Sequence, residues 1–538
     1  MKLSEQTFYE YLQAFAEEEP HKPLYMDDRK TLSANEVQEA VDQLAKQLYS
    51  LGVTPGSFVA LHMERSVDGI LLLLALWALG AVAVPAPPNL PLSHFLEGDG
   101  AALPLDFALA RSASSEEKKK GAHPTSPLDH PWEFTHLADQ KTAILDGREH
   151  IHRPAPNSAD AQNDWSWEAP HASAFAPDLP DFPVCEDAYA PAVILFTSGT
   201  TGKSKAVVLS QYNLINDITT TAEIGWYLPH DVSLGILPLF HLFALVLLTG
   251  TLVLRYSMFL PDKVDVPHIL DAIEQRRITR INAVPSLYLQ MARAAAGRDL
   301  SSLRTGFVSG APCTKEQFAE IEKNLGMTLM SAYGMSECAG IACASYKDDA
   351  EKRRLSVGHF YEENRTRIVK ADGSDAAPYE TGEIWVDGPT RMLGYYGSIG
   401  DTAGAIDADG YLHTGDLAYR DEKGYVYIAG RKKDIIIRNG NNISARRIEE
   451  VLIKVPGVKD AAVFGIPDEK VGELPCAVLA SDLPEKELLG AVQHVCKEHL
   501  IKPEIPAHFR VVPSLPLTAS GKVDKQRLKE AFLEWLRN

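Results

Sequence analysis

Cysteine is scarce in this sequence. The chain has six cysteines among 538 residues, scattered at positions 185, 313, 338, 343, 476 and 496. Cys338 and Cys343 lie close together, but no second pair and no histidine stands at zinc-ligand spacing from them. The sequence therefore predicts neither a disulfide framework nor a zinc site, and it favours reduced thiols in a cytoplasmic protein.

Positive charge is also in short supply. Lysine and arginine number 53 against 72 aspartates and glutamates, which gives a formal net charge of −19 at pH 7. Nucleic acid and anionic membrane surfaces repel so acidic a chain, and neither is expected as the main partner. Any site for an anionic ligand must concentrate its own positive charge.

The sequence has no apolar run long enough to cross a bilayer. The run Ile70–Val84 has 15 residues, contains Gly80 and is followed by Pro85, whereas a spanning helix needs about 20 residues. The opening residues Met1–Gln6 lack the apolar core of a signal peptide. We therefore expect no transmembrane segment and no signal peptide, and we interpret the run as a buried helix that leads into a strand.

The first 95 residues contain alternating helices and strands. Ser33 and Glu36 form a capping box before a helix whose apolar residues recur at helical spacing. A strand at 58–61, a helix at 66–79 and a strand at 81–84 follow. This alternation predicts a mostly parallel sheet with helices on both faces.

The later part of the chain has a different pattern. Between 356 and 427 short apolar segments alternate with Gly/Asp turns, which predicts an antiparallel β subdomain. We predict a large α/β domain of mostly parallel sheets, 1–430, which includes this subdomain and an atypical loop-rich stretch at 96–190. A small α+β domain, 431–538, is predicted to follow it.

A dense group of polar residues lies between two apolar runs at 192–196 and 206–209, and we call it the phosphate loop (197–205). Its glycines let backbone N–H groups turn inward, its hydroxyls donate hydrogen bonds and its lysines supply charge, which together suit a polyphosphate. Its residues are Thr197, Ser198, Gly199, Thr200, Thr201, Gly202, Lys203, Ser204 and Lys205.

A Walker A motif is the obvious alternative, because the loop contains Gly202-Lys203-Ser204. That motif needs a glycine where Thr197 stands and a helix directly after the loop. Here β-branched residues follow, and a helix is predicted only after Ser210, a residue suited to an N-cap. A strand–loop–strand arrangement aims no helix N-terminus at phosphate, so a P-loop ATPase is the weakest alternative.

The phosphate loop resembles the Tyr/Phe-Thr-Ser-Gly-Thr-Thr-Gly-x-Pro-Lys-Gly signature of the AMP-forming acyl- and aryl-CoA synthetases, the adenylate-forming superfamily. It departs from that signature at Ser204 and Ala206, where the family has proline and glycine. The resemblance covers about 191–530 well and 1–95 loosely. The other segments that match family motifs are Ser309–Pro312, Tyr333–Glu337, Tyr411–Asp416, Gly430–Arg431 and Pro516–Lys522.

The resemblance implies a role for residues in these segments. Tyr333 would pack on adenine, Asp416 would accept from both ribose hydroxyls, and Arg431 would donate to the ribose or phosphate. Glu337 would hold Mg²⁺, because a hard cation prefers carboxylate oxygen. Lys522 would stabilise the charge that develops at the α-phosphate. The other residues of the implied ATP site outside the phosphate loop are Gly310, Ala311, Pro312, Gly334 and Ser336.

The segment around His241 resembles the substrate-side motif of the family, which implies an acyl pocket at Phe240, His241 and Leu242. Its neighbours are apolar, and no acidic residue occurs between Asp231 and Asp262. An unpaired substrate ammonium would be costly in such a pocket. The sequence therefore favours an acyl or aryl carboxylate over an amino acid.

The C-terminal part resembles the mobile small domain of the family. Lys433 stands at the position of the domain-rotation hinge, and Gly440-Asn441 match the loop that approaches the thiol acceptor on the CoA side. Ile437 stands where some members have a lysine for the second step. That departure weakens what the resemblance implies about thioester formation.

The sequence thus predicts an ATP-dependent carboxylate–CoA ligase. It would form an acyl-AMP from a small carboxylic acid, then a CoA thioester, and release AMP and pyrophosphate, with ATP, Mg²⁺ and coenzyme A required. Two alternatives stay open: transfer of the acyl group to an acyl carrier protein, and a nucleotide-binding protein that keeps only the fold. The family also implies a cytoplasmic enzyme of fatty-acid metabolism.

Overall fold

The computed structural model describes residues 3–87, 105–111, 132–136, 141–145, 181–197, 205–439, 441–468, 470–516 and 523–537. Most of the stretch 96–190 lies outside the described residues, as do 198–204, Gly440 and 517–522, which includes Lys522. The expectations placed on those residues stay predictions.

The helices alternate with strands along the chain. They are α1 (Phe8–Glu18), α2 (Ala34–Ser50), α3 (Val67–Ala78), α4 (Gln211–Thr221), α5 (Leu242–Val253), α6 (Val266–Arg276), α7 (Pro285–Ala294), α8 (Lys315–Leu325), α9 (Ala350–Leu355), α10 (Ile399–Ala405), α11 (Ala445–Leu452), α12 (Glu485–His499) and α13 (Lys525–Arg537), with a 3₁₀ turn at Lys432–Asp434.

The strands are β1 (Pro23–Asp27), β2 (Thr31–Ser33), β3 (Phe58–His62), β4 (Val82–Ala86), β5 (Phe107–Arg111), β6 (Trp132–His136), β7 (Lys141–Leu145), β8 (Pro191–Thr197), β9 (Lys205–Ser210), β10 (Val232–Leu234), β11 (Ser257–Leu260), β12 (Arg280–Ile281), β13 (Thr305–Val308), β14 (Thr328–Met335), β15 (Cys338–Cys343), β16 (His359–Phe360), β17 (Arg365–Val369), β18 (Gly382–Asp387), β19 (Gly394–Tyr395), β20 (Leu412–Arg420), β21 (Val426–Arg431), β22 (Ile435–Arg438), β23 (Asn441–Ser444), β24 (Asp460–Asp468), β25 (Gly472–Ala480) and β26 (His508–Val512).

The largest described sheet has the strand order β16-β15-β14-β13-β12-β10-β11-β1-β2. Its strands from β14 to β1 in that order are parallel, and both edges are antiparallel. The carboxyl ends of the parallel strands therefore meet at one edge, which is where ligands bind in open α/β sheets.

A second sheet has the order β19-β9-β8-β4-β3-β5-β6-β7, with a parallel centre formed by β8, β4, β3 and β5. A third sheet, β17-β18-β20-β21, is antiparallel throughout. The strands after residue 434 form a fourth sheet, β23-β22-β25-β24, in which β26 pairs with β25. The predicted fold class is confirmed, including its antiparallel part and its small α+β unit.

Local sequence explains why the helices begin where they do. The Ser33–Glu36 capping box starts α2, and Ser66 accepts a hydrogen bond from the Gly69 backbone N–H at the start of α3. Every residue of α3 is buried, as its apolar composition predicts. None of the helices in the described ranges combines the length and apolarity that a bilayer span requires.

The apolar cores divide where the sheets divide. Among the described residues, the clusters around the first three sheets contain nothing beyond Ile428. Two further clusters contain only residues from Ile436 onward. Each group of sheets thus buries its own apolar side chains.

Candidate active site

The phosphate loop joins two antiparallel strands. Thr197 at the end of β8 pairs with Lys205 at the start of β9, and α4 begins only after Ser210. Ser210 and Asn213 form a reciprocal capping box at the start of that helix. The predicted strand–loop–strand order is confirmed, and no helix N-terminus directly follows the loop as Walker A requires.

Lys205 lies between an acid and an aromatic ring. Its Nζ is 2.8 Å from Asp401 Oδ1 and 4.7 Å from the centroid of the Tyr395 ring. The same tyrosine donates a hydrogen bond to Glu337 Oε1 over 2.9 Å. A cation of the phosphate loop and the predicted metal ligand therefore share one aromatic neighbour.

The carboxyl ends of β13 and β14 carry two of the predicted segments. Gly310 has a φ of +85°, and Gly310, Ala311 and Pro312 form an exposed turn after β13. Gly334 lies in β14, where a Cβ would overlap the carbonyl oxygen of Ala339 on β15. The close approach of those two strands thus requires glycine at position 334.

Tyr333, Asp416 and Arg431 form one hydrogen-bonded network. The Tyr333 hydroxyl donates to Asp416 Oδ2 over 2.7 Å, and Arg431 Nε lies 2.9 Å from Asp416 Oδ1. Asp416 and Arg431 are register partners on β20 and β21, which explains why their side chains meet. Each carboxylate oxygen can accept more than one hydrogen bond, so Asp416 retains capacity for ligand hydroxyls.

Burial sets the protonation of Tyr333 in this network. The Asp416 side chain is 5% exposed. Burial, and then the charge of Asp416, raise the pKa of Tyr333 well above its usual value. Tyr333 is therefore a neutral donor at physiological pH, and it presents a ring beside a charged pair.

Glu337 has the environment expected of a metal ligand that acts together with phosphates. Its Oε1 accepts from Tyr395, and its Oε2 makes no hydrogen bond to any described residue. The described ranges contain no cluster of three or more acidic, histidine or cysteine side chains at metal-binding distance. A single available carboxylate fits Mg²⁺, which is held in such sites by one or two carboxylates together with substrate phosphates.

Sequence reasoning missed Glu383, which lies beside the Asp416 turn. Its Oε1 accepts from the Gly415 backbone N–H over 3.0 Å, and its Oε2 accepts from Lys432 Nζ over 3.1 Å and from Trp385 Nε1 over 3.2 Å. The Trp385 ring in turn stacks on His413, with ring centroids 4.0 Å apart. No spacing rule in the sequence indicates the contacts of Glu383 with Gly415 and Lys432, because these residues are far from it along the chain.

The predicted acyl-pocket residues lie at the start of α5. His241 is the N-cap residue of that helix, and its ring centroid is 4.7 Å from that of Phe240. Leu242 is buried, and α5 is apolar along most of its length. Their role as the acyl pocket stays a prediction.

The predicted hinge is a short irregular segment. Lys433 lies in the 3₁₀ turn Lys432–Asp434 between β21 and β22. Burial, and then the neighbouring Arg431, lower the pKa of Lys433. Beyond it, Asn441 pairs with Arg438 across the hairpin of β22 and β23, and Ile437 is 54% exposed.

Lys522 itself lies outside the described residues, but the segments on either side of it are fixed. The Asp524 backbone N–H donates to the Pro516 carbonyl over 2.9 Å, which brings the two ends of 517–523 together. Asp524 also accepts from the Arg527 backbone N–H at the start of α13.

Mostly parallel sheets followed by a small C-terminal unit, matched by a solved structure that holds an acyl-adenylate, place this chain in the adenylate-forming class of enzymes. Residues 12–396 match the family model described as AMP-binding enzyme, and residues 447–522 match that of the AMP-binding enzyme C-terminal domain. The chain belongs to the AMP-binding enzyme family.

Named relatives extend over most of the chain. Pyochelin synthase PchD of Pseudomonas aeruginosa is 30% identical over 98% of this chain and 92% of its own length. The sulfoacetate–CoA ligase of Cupriavidus necator is 34% identical over 66% of this chain and 68% of its own length. The o-succinylbenzoate CoA synthetase of Bacillus subtilis, solved with its acyl-adenylate intermediate, has a TM-score of 0.79 at 26% identity and covers 98% of this chain and 99% of its own.

Proposed function

We propose that this chain is an ATP-dependent carboxylate–CoA ligase. In the first half-reaction a carboxylate oxygen attacks the α-phosphorus of ATP, pyrophosphate leaves, and an acyl-AMP remains bound. In the second, the thiol of coenzyme A attacks the acyl carbonyl, AMP leaves and a thioester forms. Adenylation already supplies a good leaving group, so no covalent enzyme intermediate is needed.

The observation that carries this proposal is the network of Tyr333, Asp416 and Arg431. It places an aromatic ring, a hydroxyl-accepting carboxylate and a fixed cation within hydrogen-bonding distance of one another. Adenosine monophosphate offers the matching groups: a flat base, ribose hydroxyls and a phosphate. We assign adenine to Tyr333, the ribose hydroxyls to Asp416, and the ribose or α-phosphate to Arg431.

Mg²⁺ would be held by Glu337 together with the phosphates, and it would neutralise charge as pyrophosphate leaves. The phosphate loop, with Thr197 to Lys203 and Lys205, would hold the β- and γ-phosphates through N–H groups, hydroxyls and ammonium groups. The turn Gly310–Pro312, with Gly334 and Ser336, would complete the nucleotide site. Lys522 would stabilise the non-bridging oxygens of the α-phosphate.

We also propose two domains, 1–430 and 431–538, that turn about Lys433. Separate apolar cores on the two sides and the short 3₁₀ turn between them support this division. Turning would withdraw Lys522 after the first half-reaction and bring the Gly440-Asn441 loop to the thiol.

The acid would lie along Phe240, His241 and Leu242. The apolar start of α5 supports an acyl or aryl group there. One relative is named for sulfoacetate and a solved structure for o-succinylbenzoate, so the family does not determine which acid this chain takes. A cytoplasmic location and a role in fatty-acid metabolism remain predictions.

The decisive experiment is carboxylate-dependent exchange of pyrophosphate into ATP over a panel of short, long and aromatic acids. We expect exchange with a subset of these acids, and release of a thioester of the correct mass when CoA is added. Thioester formation on an acyl carrier protein but not on CoA would instead establish the alternative acceptor. Nucleotide binding without exchange for any acid would favour a protein that keeps only the fold.

A further inference from the structure

Tyr395 joins two parts of the candidate site that are distant in sequence. It lies on β19, which pairs with β9, the strand that leaves the phosphate loop, and its register partner is Val207. Its backbone N–H donates to the Thr402 hydroxyl over 2.9 Å. The backbone of Tyr395 is therefore held by β9 on one side and by Thr402 on the other.

On one side, Tyr395 fixes the carboxylate of Glu337. The phenol donates to Oε1 over 2.9 Å, while the Glu337 carbonyl accepts from the Met392 backbone N–H over 2.9 Å. With Oε1 engaged, Oε2 is the oxygen that remains available for a further partner.

On the other side, the Tyr395 ring supports the ammonium of Lys205, 4.7 Å from the ring centroid. The counter-ion of that ammonium is Asp401, whose Oδ1 is 2.8 Å from Lys205 Nζ. Asp401 is half-exposed, and its Oδ2 accepts from the Ser398 hydroxyl. Exposed pairs of this kind are weak, so a triphosphate of higher charge can replace Asp401.

We propose that Tyr395 is a positioning residue that aims Glu337 at Mg²⁺ and Lys205 at the phosphates, and that Asp401 is the counter-ion which Lys205 leaves when the triphosphate binds. This inference rests on the proposed function, because it assigns Glu337 and Lys205 to Mg²⁺ and ATP. The Tyr395 hydroxyl affects only the binding of Mg²⁺ by Glu337, and Asp401 affects only the binding of phosphate by Lys205.

The test is the affinity for ATP, measured by isothermal titration calorimetry with and without Mg²⁺. Tyr395→Phe keeps the ring beside Lys205 and removes the donor to Glu337. Loss of a hydrogen-bond partner of a metal ligand weakens metal binding by about 10-fold or more. We therefore expect Mg²⁺ to raise the ATP affinity of this variant roughly 10-fold less than it raises that of the wild type. Affinity without Mg²⁺ should stay unchanged.

The matched control is Tyr396→Phe. Tyr396 packs edge-on against Phe58, and its hydroxyl makes no hydrogen bond to a described residue. We expect that variant to bind ATP as the wild type does under both conditions. An equal Mg²⁺ effect in the Tyr395→Phe and Tyr396→Phe variants would overturn the role of Tyr395.

Asp401→Asn tests the phosphate side on an exposed residue whose replacement leaves the core intact. Because Lys205 then has no counter-ion to leave, we expect ATP to bind a few-fold more tightly, with or without Mg²⁺. Unchanged or weaker binding would overturn the role of Asp401. If the wild type bound no ATP at all, the proposed function itself would fail, and this outcome differs from both of the others.

Discussion

At the scale of single residues, the Asp416 carboxylate is the point on which the nucleotide assignment depends. It accepts from a phenol on one oxygen and lies beside a guanidinium on the other, and it is almost fully buried. Hydrogen bonds to charged groups contribute about 1.5–3 kcal/mol each. Loss of the charge should therefore be measurable in binding.

We predict that Asp416→Asn weakens ATP binding by about 10- to 100-fold, because ribose and Arg431 both lose a charged partner. The rate constant of pyrophosphate exchange at saturating ATP should fall much less, since the contact exists before and during the reaction. Calorimetry measures the affinity, and the rate of exchange at saturating ATP measures the rate constant. Glu422→Gln, an exposed acid without an ion pair among the described residues, is the control, and equal effects in both variants would contradict the assignment.

Asp217 shows how burial at one residue makes a fold sensitive to pH. The carboxyl lies on α4, facing Gly340 of β15, and one of its oxygens has no hydrogen-bond partner among the described residues. Burial raises its pKa from 3.8 to about 7, and a hydrogen bond from Tyr361 opposes that shift. The other titratable groups near it are Tyr227, Cys338 and Cys343.

Because the folded protein holds the Asp217 proton more tightly than the unfolded chain, stability from this group is present at low pH and is lost as pH rises toward and through 7. We predict that the free energy of unfolding of Asp217→Asn rises relative to wild type by roughly 2–3 kcal/mol between pH 5 and pH 8. Urea unfolding across this range measures the difference. A pH-independent difference between the two proteins would refute the prediction.

At the scale of elements, the helix α13 begins soon after Lys522 in the sequence, and its first residue makes several contacts. Its first residue, Lys525, lies 2.7 Å from Glu449 Oε1 on α11, donates to the Val463 carbonyl over 3.3 Å and reaches within 3.9 Å of Asp434 Oδ2. Glu449 Oε1 also accepts from the Val463 backbone N–H over 2.7 Å. These contacts connect the start of α13, which follows Lys522 in the sequence, to the turn that holds Lys433.

We predict that Lys525→Met slows acyl-adenylate formation by about 10-fold or more, because a small displacement of Lys522 costs rate. Thioester formation from preformed acyl-AMP should change little, and Lys525→Arg should restore the first step. Single-turnover assays separate the two half-reactions. Lys497→Met on the exposed face of α12 is the control, and equal loss in both half-reactions would point to a general structural defect.

Sequence alone predicted elements best where local chemistry decides them. The caps at Ser33 and Ser210 and the buried α3 follow from neighbouring residues, and all are confirmed. The contacts of Tyr395 with Glu337, 58 residues apart, depend instead on strand register, which no local pattern specifies. For that reason the motifs were visible in the sequence, while the residues that support them were not.

At the scale of the whole molecule, the residues predicted for the site fall on both sides of the turn Lys432–Asp434 in the sequence. Tyr333, Asp416 and Arg431 precede that turn, whereas Lys522 follows it. The described apolar cores do not cross this boundary. Nucleotide binding and phosphate chemistry should therefore be separable.

We predict that a chain truncated after Asp434 folds and binds ATP within about 10-fold of the full chain, because the adenosine contacts remain. Its pyrophosphate exchange should fall by about 100-fold or more, as expected when a group that stabilises transition-state charge is removed. Calorimetry and the exchange assay measure the two properties, with full-length Lys522→Ala as the reference. Normal exchange by the truncated chain would place the catalytic cation elsewhere.

The stack of Trp385 on His413 provides an internal optical probe. The imidazole immediately precedes Thr414-Gly415-Asp416, so movement of that turn alters the overlap of the two rings. Indole emission is sensitive to an imidazole in van der Waals contact. Arrival of adenosine at Asp416 should therefore change the fluorescence of the unlabelled protein, and Trp385→Phe should remove that component of the signal.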